Sequence, residues 1–189
     1  MLIGILAAQG AYKKHKDILN TINVDSVYVK NVKQLSVCDA LILPGGESTA
    51  ISNIIQANNL YESIKSFASN SYVFGTCAGM ILMGSNKSTQ LLKPLKLFDI
   101  KVSRNAYGSQ VDSFIDNISL SFDRNKFSGV FIRAPKVISR ANDIEVLSVY
   151  NDSPVLIRKD RFLASSFHPE LTSDNRVHKY FVNMVQHGN

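Results

Sequence analysis

The sequence of 189 residues predicts an α/β fold in which a mostly parallel central sheet carries added antiparallel strands. In the first half, short apolar runs alternate with segments of helical spacing, which is the pattern of repeated β-α-β units. One such strand runs directly into a helix through residues 75–79, Gly-Thr-Cys-Ala-Gly. The second half instead carries short β-type runs separated by turn residues, which is typical of mixed or antiparallel sheet.

The first half supplies four predicted strands with helices between them. The strands are expected at residues 2–8, 27–29, 38–43 and 72–74, and the helices at 11–22, around 51–55, around 60–67 and after Gly79. Residues 2–8 are apolar without alternation, as expected when both faces of a sheet are covered. Ser48 or Thr49 is expected to cap the helix that follows the loop at residues 44–46.

The second half begins after a polar, lysine-bearing stretch at residues 86–95, which predicts a loop. Strands are then expected at residues 97–102, 111–115, 130–132, 146–150, 155–158 and 162–165. From Asp174 onward, apolar residues recur at helical spacing and predict a closing amphipathic helix. Because no repeat or linker interrupts the chain, we expect residues 1–189 to form a single domain.

Composition narrows the classes of function. The two cysteines, Cys38 and Cys77, cannot form a disulfide framework and suit a reducing cytoplasm, and no apolar run approaches the length of a membrane span. The net charge of +6 is scattered except at residues 13–16, which favours a solvated surface or an acidic protein partner over nucleic acid. We therefore expect a cytoplasmic protein that binds neither membrane nor nucleic acid, and we expect no metal and no cofactor.

Residues 75–79 have the form of a nucleophile elbow, in which a sharp strand-to-helix turn presents the side chain of Cys77. Gly75 and Gly79 fit such a turn because the backbones come too close together for a Cβ atom. The positive end of the helix dipole favours the thiolate of a cysteine at this position. An alternative is a buried cysteine in a tight turn, or a thiol that serves as a redox sensor or in binding.

A nucleophilic cysteine needs a base and a group that orients the base. His168 and Glu170 follow the last predicted strand, and in an extended segment residues two apart point the same way. Pro169 favours extended backbone at His168. The alternative is a loop histidine beside a solvated glutamate.

The glycine loop at residues 44–47, Pro-Gly-Gly-Glu, fits an oxyanion hole, with the backbone N–H of Ala78 as the second donor. Glu47 could be a charge at a helix start or could bind an ammonium group. Arg104 and Arg133 lie in unusually patterned segments, where each could pair with a substrate carboxylate or with a glutamate. Isolated arginines more often form surface ion pairs.

Four separated motifs together resemble the glutaminase subunits of pyridoxal 5'-phosphate synthase, within the class I (triad) glutamine amidotransferases. They are Leu-Pro-Gly-Gly-Glu-Ser-Thr at 43–49, Arg-Asn-Ala-Tyr-Gly at 104–108, Gly-Val-Phe-Ile-Arg-Ala-Pro at 129–135 and Ser-Phe-His-Pro-Glu-Leu-Thr at 166–172. The resemblance, which runs from Gly4 through the last helix, implies a flavodoxin-like three-layer fold. A glutaminase subunit of another biosynthetic amidotransferase is the closest alternative.

The resemblance also implies an activity, which is the hydrolysis of L-glutamine to glutamate and ammonia through a glutamyl thioester on Cys77. His168 and Glu170 would complete the triad, and Gly46 and Ala78 would form the oxyanion hole. The glutamine would be held by Gly46, Glu47, Ser48, Arg104, Ile132 and Arg133. Ammonia would pass to a barrel-shaped synthase subunit, and docking of that partner would raise the activity.

Two positions depart from the family pattern. Ser109 stands where arginine is usual, and residues 7–10, Ala-Ala-Gln-Gly, replace a more usual Leu-Gln-Gly approach. By the same resemblance, His15 would lie in a basic segment that faces the synthase subunit.

Overall fold

The computed structural model describes residues 1–87, 89, 92–104 and 113–188, and its first half alternates strands and helices as the sequence predicts. The elements of this half are β1 (Leu2–Leu6), α1 (Tyr12–Thr21), β2 (Asp25–Val29), α2 (Val32–Leu35), β3 (Ala40–Leu43), α3 (Ser48–Ala57), α4 (Leu60–Ala68), β4 (Tyr72–Thr76) and α5 (Ala78–Met83). The segment predicted as a loop, residues 86–95, lies between α5 and the next strand, and its residues 88, 90 and 91 are outside the described residues.

The second half is rich in strands and closes with a helix. Its elements are β5 (Ile100–Ser103), β6 (Ser113–Leu120), β7 (Asp123–Ile132), β8 (Lys136–Arg140), β9 (Glu145–Tyr150), β10 (Ser153–Lys159), β11 (Phe162–Ser165), a 3₁₀ turn (Pro169–Leu171) and α6 (Arg176–His187). The change from alternating strands and helices to mostly strands was predicted from the sequence, and so was the closing helix.

Within the described residues, seven strands form the central sheet in the order β2-β1-β3-β4-β11-β10-β9. Neighbours from β2 through β11 run parallel, and β10 and β9 are added antiparallel to them. The remaining strands pair as two antiparallel ribbons, β5 with β8 and β6 with β7. The predicted α/β class, mostly parallel with added antiparallel strands, is confirmed.

The sheet separates two apolar cores. On one face, α3, α4 and α5 pack with β5 and β8 around buried residues such as Leu41, Ile55 and Ile64. On the other face, α1 and α6 pack with the β6–β7 ribbon around residues such as Phe74 and Phe181. No helix in the described ranges combines the length and the apolarity needed to cross a bilayer.

The largest differences from the sequence prediction fall on elements whose residues lack a strong apolar pattern. The strand β8 was not predicted, since only Val137 in it is buried, and the four-residue α2 is too short to show helical periodicity. The strand β7 begins at Asp123 rather than residue 130, because its polar first half is held by pairing with β6. The predicted start of β6 at 111 lies outside the described residues.

Candidate active site

Three adjacent parallel strands bring the predicted motifs to one edge of the sheet. The strands β3, β4 and β11 lie side by side, with Leu43 in register with Gly75 and Ser165 in register with Thr76. The glycine loop, the elbow and the His-Pro-Glu segment each follow the carboxyl end of one of these strands. Sites in open α/β sheets form at this edge, and here the three motifs meet although the sequence separates them widely.

The elbow at Cys77 has the geometry of a sharp strand-to-helix turn. Cys77 has φ 48° and ψ −102° and is followed immediately by α5. A Cβ atom on Gly79 would run into the carbonyl of Leu43, and one on Gly75 would lie 2.7 Å from the carbonyl carbon of Gly79. The two glycines therefore let β3, β4 and α5 approach closely enough to present the sulfur at the sheet edge.

His168 and Glu170 form a buried pair beside the elbow. His168 Nδ1 lies 2.7 Å from Glu170 Oε1, and the backbone N–H of His168 donates to the carbonyl of Val130 at 2.8 Å. The prediction of an extended segment here is wrong, because Pro169–Leu171 is a 3₁₀ turn. The turn still allows the two side chains to meet, since His168 itself lies outside it with φ −103° and ψ 87°.

The charges of His168 and Glu170 are set by contacts whose effect on the pKa outweighs the effect of burial. Burial works to lower the pKa of His168, but hydrogen bonds and charge interactions with Cys77 and Glu170 raise it to about 10. Burial works to raise the pKa of Glu170, but the neighbouring imidazoles of His15 and His168 bring it below its ordinary value. At neutral pH the arrangement therefore favours an imidazolium at His168 and a carboxylate at Glu170.

The glycine loop is fixed from two sides. The carbonyl of Gly45 accepts from the N–H of Ala11 at 3.1 Å, and the N–H of Gly45 donates to Thr76 Oγ1 at 3.0 Å. A Cβ atom on Gly45 would lie 2.8 Å from Nδ1 of His168, so glycine is what allows the imidazole to lie over this backbone. The N–H of Glu47 donates to Gln9 Oε1 at 2.9 Å, which ties the loop to the segment after β1.

The prediction that Ser48 or Thr49 caps α3 is wrong, because Glu47 takes that role. Its carboxylate accepts from the N–H of Thr49 at 3.0 Å and of Ala50 at 2.6 Å. Arg104 Nη2 lies 3.2 Å from the same carboxylate. Glu47 is therefore the helix-start charge that was one of its two predicted roles, and Arg104 pairs with a glutamate.

A cavity of about 220 Å³ opens at this edge. Eight of the predicted site residues line it, namely Gly46, Glu47, Ser48, Cys77, Arg104, Ile132, Arg133 and His168. Glu170 lies behind His168, and Ala78 begins α5 next to the sulfur. Arg133 is exposed and has φ 42°, a backbone conformation that residues other than glycine rarely adopt. The predicted residues thus converge on one concave site, with two of them supporting its wall.

Comparison with known proteins identifies the family. The SNO glutamine amidotransferase family matches residues 5–187. A protein of Thermosipho africanus named pyridoxal 5'-phosphate synthase subunit PdxT is 46% identical over 98% of this chain and 100% of its own length. A protein of the same name from Francisella tularensis subsp. novicida is 44% identical over 96% of this chain and 98% of its own.

The chain belongs to the SNO glutamine amidotransferase family.

Solved structures agree with this assignment. A crystal structure described as a glutamine amidotransferase superposes with a TM-score of 0.90 at 36% identity, covering 97% of this chain and 98% of its own. The PurLQS structure from Thermotoga maritima gives a TM-score of 0.72 at 12% identity, with 97% of each chain covered, and shares the fold. The predicted glutamine amidotransferase fold and the predicted resemblance are both confirmed.

The side chain of His15 is buried within this SNO-family chain, so it is not exposed for the contact with a synthase subunit that the resemblance implied. Its side chain is fully buried, with Nδ1 2.9 Å from Nε2 of His178 and Nε2 3.2 Å from Oγ1 of Thr76. Lys13 and Lys14 on the same helix are exposed, whereas the imidazole of His15 lies against the ring of Phe74 in β4. Ser109, the departure from the family pattern, lies outside the described residues.

Sequence reasoning missed several residues of the cavity wall and of its support. Gly10, Ala11, Ile81 and Leu171 also line the cavity, beside Gly45 of the predicted glycine loop. Gly10 and Ala11 could have been found, because they follow the carboxyl end of a predicted parallel strand. His15, His178 and Thr76 carried no such signal, since their proximity depends on how α1 and α6 pack. Among the described residues, no cluster of three or more His, Cys, Asp or Glu side chains could hold a metal ion.

Proposed function

We propose that this chain is the glutaminase subunit of a pyridoxal 5'-phosphate synthase, which hydrolyses L-glutamine to glutamate and ammonia. The observation that carries the proposal is the meeting of Cys77, His168 and the glycine loop in one cavity, with Glu170 bonded to His168. Membership in the SNO family and the names of the relatives support the same reaction. The proposal also treats residues 1–189 as one catalytic domain.

In the first half of the reaction, the sulfur of Cys77 attacks the side-chain amide carbon of glutamine. Negative charge develops on the amide oxygen, and the backbone N–H groups of Gly46 and Ala78 stabilise it. The C–N bond then breaks, and His168 transfers its proton to the leaving nitrogen. Ammonia and a glutamyl thioester on Cys77 result.

In the second half, water attacks the thioester carbonyl. His168, now neutral, takes a proton from that water, and Glu170 holds the imidazole in the orientation and charge state that this step requires. The C–S bond breaks, glutamate leaves, and the thiolate returns to its pairing with the imidazolium. One water is consumed for each glutamine.

Residues of the cavity wall hold the substrate in this proposal. The family resemblance implies that Arg133 binds the substrate, so we assign it to the α-carboxylate of glutamine. Arg104 already pairs with Glu47, at 3.2 Å. Gly46, Glu47, Ser48 and Ile132 complete the glutamine site. The Glu47 carboxylate, partly satisfied by α3, keeps enough negative charge to attract the α-ammonium group.

We further propose that ammonia passes to a pyridoxal 5'-phosphate synthase barrel subunit and that the complex works in the cytoplasm. The names of the relatives describe a subunit, which implies a partner. Both cysteines are free thiols, as is usual in a reducing compartment. A docked partner would also keep ammonia from escaping into solvent.

The decisive experiment measures ammonia release from glutamine, with and without a barrel subunit. We expect release that rises when the barrel subunit is added, no release from Cys77→Ala, and a loss of several orders of magnitude in His168→Asn. Circular dichroism of both variants checks that the fold is intact. Release from Cys77→Ala would refute the mechanism, and no release from the wild-type chain in either condition would favour a redox or binding role for Cys77.

A further inference from the structure

Behind the Glu170 carboxylate lies a buried polar chain for which the proposed reaction has no use. It consists of His15 on α1, His178 on α6 and Thr76 at the end of β4, all three fully buried. His15 Nε2 lies 3.6 Å from Glu170 Oε2 and 3.2 Å from Thr76 Oγ1, and His15 Nδ1 lies 2.9 Å from His178 Nε2. Burying three polar side chains costs free energy unless they are hydrogen-bonded.

The geometry determines where the proton of His15 resides. Glu170 Oε1 is taken by His168, while Oε2 has no hydrogen-bond partner among the described residues. An ionised carboxylate can only accept, and the nitrogen that faces Oε2 is Nε2 of His15. A proton on Nε2 faces Glu170 Oε2 across 3.6 Å, which is longer than a hydrogen bond, and donates to Thr76 Oγ1 at 3.2 Å.

The same tautomer also fits His178. With Nε2 of His15 protonated, Nδ1 is an acceptor and receives the Nε2–H of His178. Nδ1 of His178, which has no partner within the described ranges, is then a bare lone pair and not an N–H. Buried N–H groups without an acceptor are rarer than unused acceptors, so this arrangement is the better satisfied one.

Both rings of the pair are neutral. Burial lowers the pKa of His15, against the opposing charge of Glu170, and burial lowers that of His178 to about 3. The titratable groups that face His15 are Glu170, His168 and His178, so the single cation of the cluster at neutral pH is His168. His15 thus acts on Glu170 as an oriented dipole and leaves the charge pair of the triad intact.

We propose that His15 is a positioning residue for glutamine hydrolysis, whose Nε2–H dipole, 3.6 Å from Oε2 of Glu170, holds that carboxylate electrostatically in the orientation that meets His168. Through Thr76 the same imidazole is linked to the glycine loop, because Thr76 Oγ1 accepts from the N–H of Gly45 at 3.0 Å. His178 fixes the ring from behind. The inference rests on the proposed glutaminase function and assigns the support of its base and of its oxyanion loop to one side chain.

The tautomer can be read directly in the free chain. Long-range ¹H–¹⁵N NMR of the histidine rings is expected to show His15 neutral at pH 7 with the proton on Nε2, assigned by its loss in His15→Gln. A His15 ring that is charged at pH 7, or that carries its proton on Nδ1, would overturn the inference, because neither form can hold Glu170 while accepting from His178.

Kinetics test the consequence. In the assembly with the barrel subunit, His15→Leu removes the dipole that faces Glu170 and is expected to lower kcat by about tenfold, as for the loss of a charge–dipole contact that is longer than a hydrogen bond. KM for glutamine is expected to stay within about twofold, since His15 lies behind the cavity wall. His15→Gln, whose amide can donate at the position of Nε2, is expected to recover most of kcat.

A matched control separates positioning from mere loss of stability. Leu19→Ala removes a fully buried apolar side chain from the same helix and takes no hydrogen-bonding group from the polar chain, so it should lower the melting temperature and leave kcat unchanged. Equal kcat in His15→Leu and wild type, or equal losses in His15→Leu and His15→Gln, would refute the positioning role of His15 and leave the proposed function intact. Absence of glutaminase activity in the wild-type assembly would instead refute the proposed function.

Discussion

At the scale of single residues, the site depends on side chains held where the backbone or burial disfavours them. Cys77 sits at φ 48°, which costs a residue with a Cβ of order 1–3 kcal/mol, and the surrounding turn must offset that cost. His168 and Glu170 are almost fully buried, yet their contacts keep them charged. The chemistry of these residues therefore depends on where the fold places them as well as on their residue types.

Buried neutral histidines make the stability depend on pH. Burial lowers the pKa of His178 from 6.5 to about 3 and lowers that of His15 as well, so below pH 6.5 the unfolded chain takes up protons that the native chain refuses. His168, whose pKa in the folded chain is raised to about 10, acts in the opposite direction, because near pH 7 the folded chain holds a proton that the unfolded chain holds only in part. Between pH 7 and pH 5.5, His178 should lower the free energy of unfolding by about 1 kcal/mol, His15 should act in the same direction, and His168 should offset part of the fall.

Urea unfolding at the two pH values measures this difference. His178→Gln removes one titrating group and should make the dependence shallower. A His178→Gln variant whose free energy of unfolding falls as much as that of the wild type between the two pH values would contradict the buried, neutral state of His178.

At the scale of elements, the sheet edge is built by loops that are tied to one another. The glycine loop bonds to the β1–α1 segment through Ala11 and Gln9 and to β4 through Thr76. The helix α3 then starts from this loop with Glu47 as its cap. The same short segment therefore shapes the cavity and begins a core helix.

Replacing Glu47 tests its role as a cap. Glu47→Ala leaves the N–H groups of Thr49 and Ala50 without their acceptor and should lower the free energy of unfolding by about 0.5–2 kcal/mol. Denaturant unfolding provides the measurement. The control is Glu62→Ala, an exposed carboxylate in the first turn of α4 that makes no cap, which should change stability by less than about 0.5 kcal/mol. A Glu47→Ala change as small as the control's would show that the cap contributes nothing.

At the scale of the whole molecule, one sheet serves both cores, and the added ribbon is fastened to it. Arg176, at the start of α6, donates to Asp123 at 2.8 Å and to the carbonyls of Asn125 and Lys126 at 2.9 and 2.8 Å. These bonds join the β6–β7 ribbon, which supplies Ile132 to the cavity, to the helix that carries His178. The halves that look different in sequence therefore share one framework.

From this sharing we expect residues 1–189 to unfold as one cooperative unit. Far-ultraviolet circular dichroism and the near-ultraviolet signal of the tyrosines should give the same urea midpoint, since neither core can persist without the sheet. A ribbon that unfolds separately would appear as two midpoints and would divide the chain into two units.

The sequence by itself determined the alternation of strands and helices, the parallel direction of the strands in the first half and the elbow at Cys77. These features are local: apolar runs, helical spacing and glycines at 75 and 79 depend on neighbouring residues. Parallel strands also place the carboxyl ends together, so the meeting of Cys77 with His168 and the loop at Gly46 was foreseeable from chain order.

Only the tertiary structure decided what supports the site. His15 and His178 are 163 residues apart and meet because α1 and α6 cover the same face of the sheet. Glu47 became the cap of α3 because its backbone is held by Gln9, and β8 exists because β5 pairs with it. Contacts of this kind depend on the packing of distant elements, and a mostly polar segment such as 136–140 gives no local signal of them.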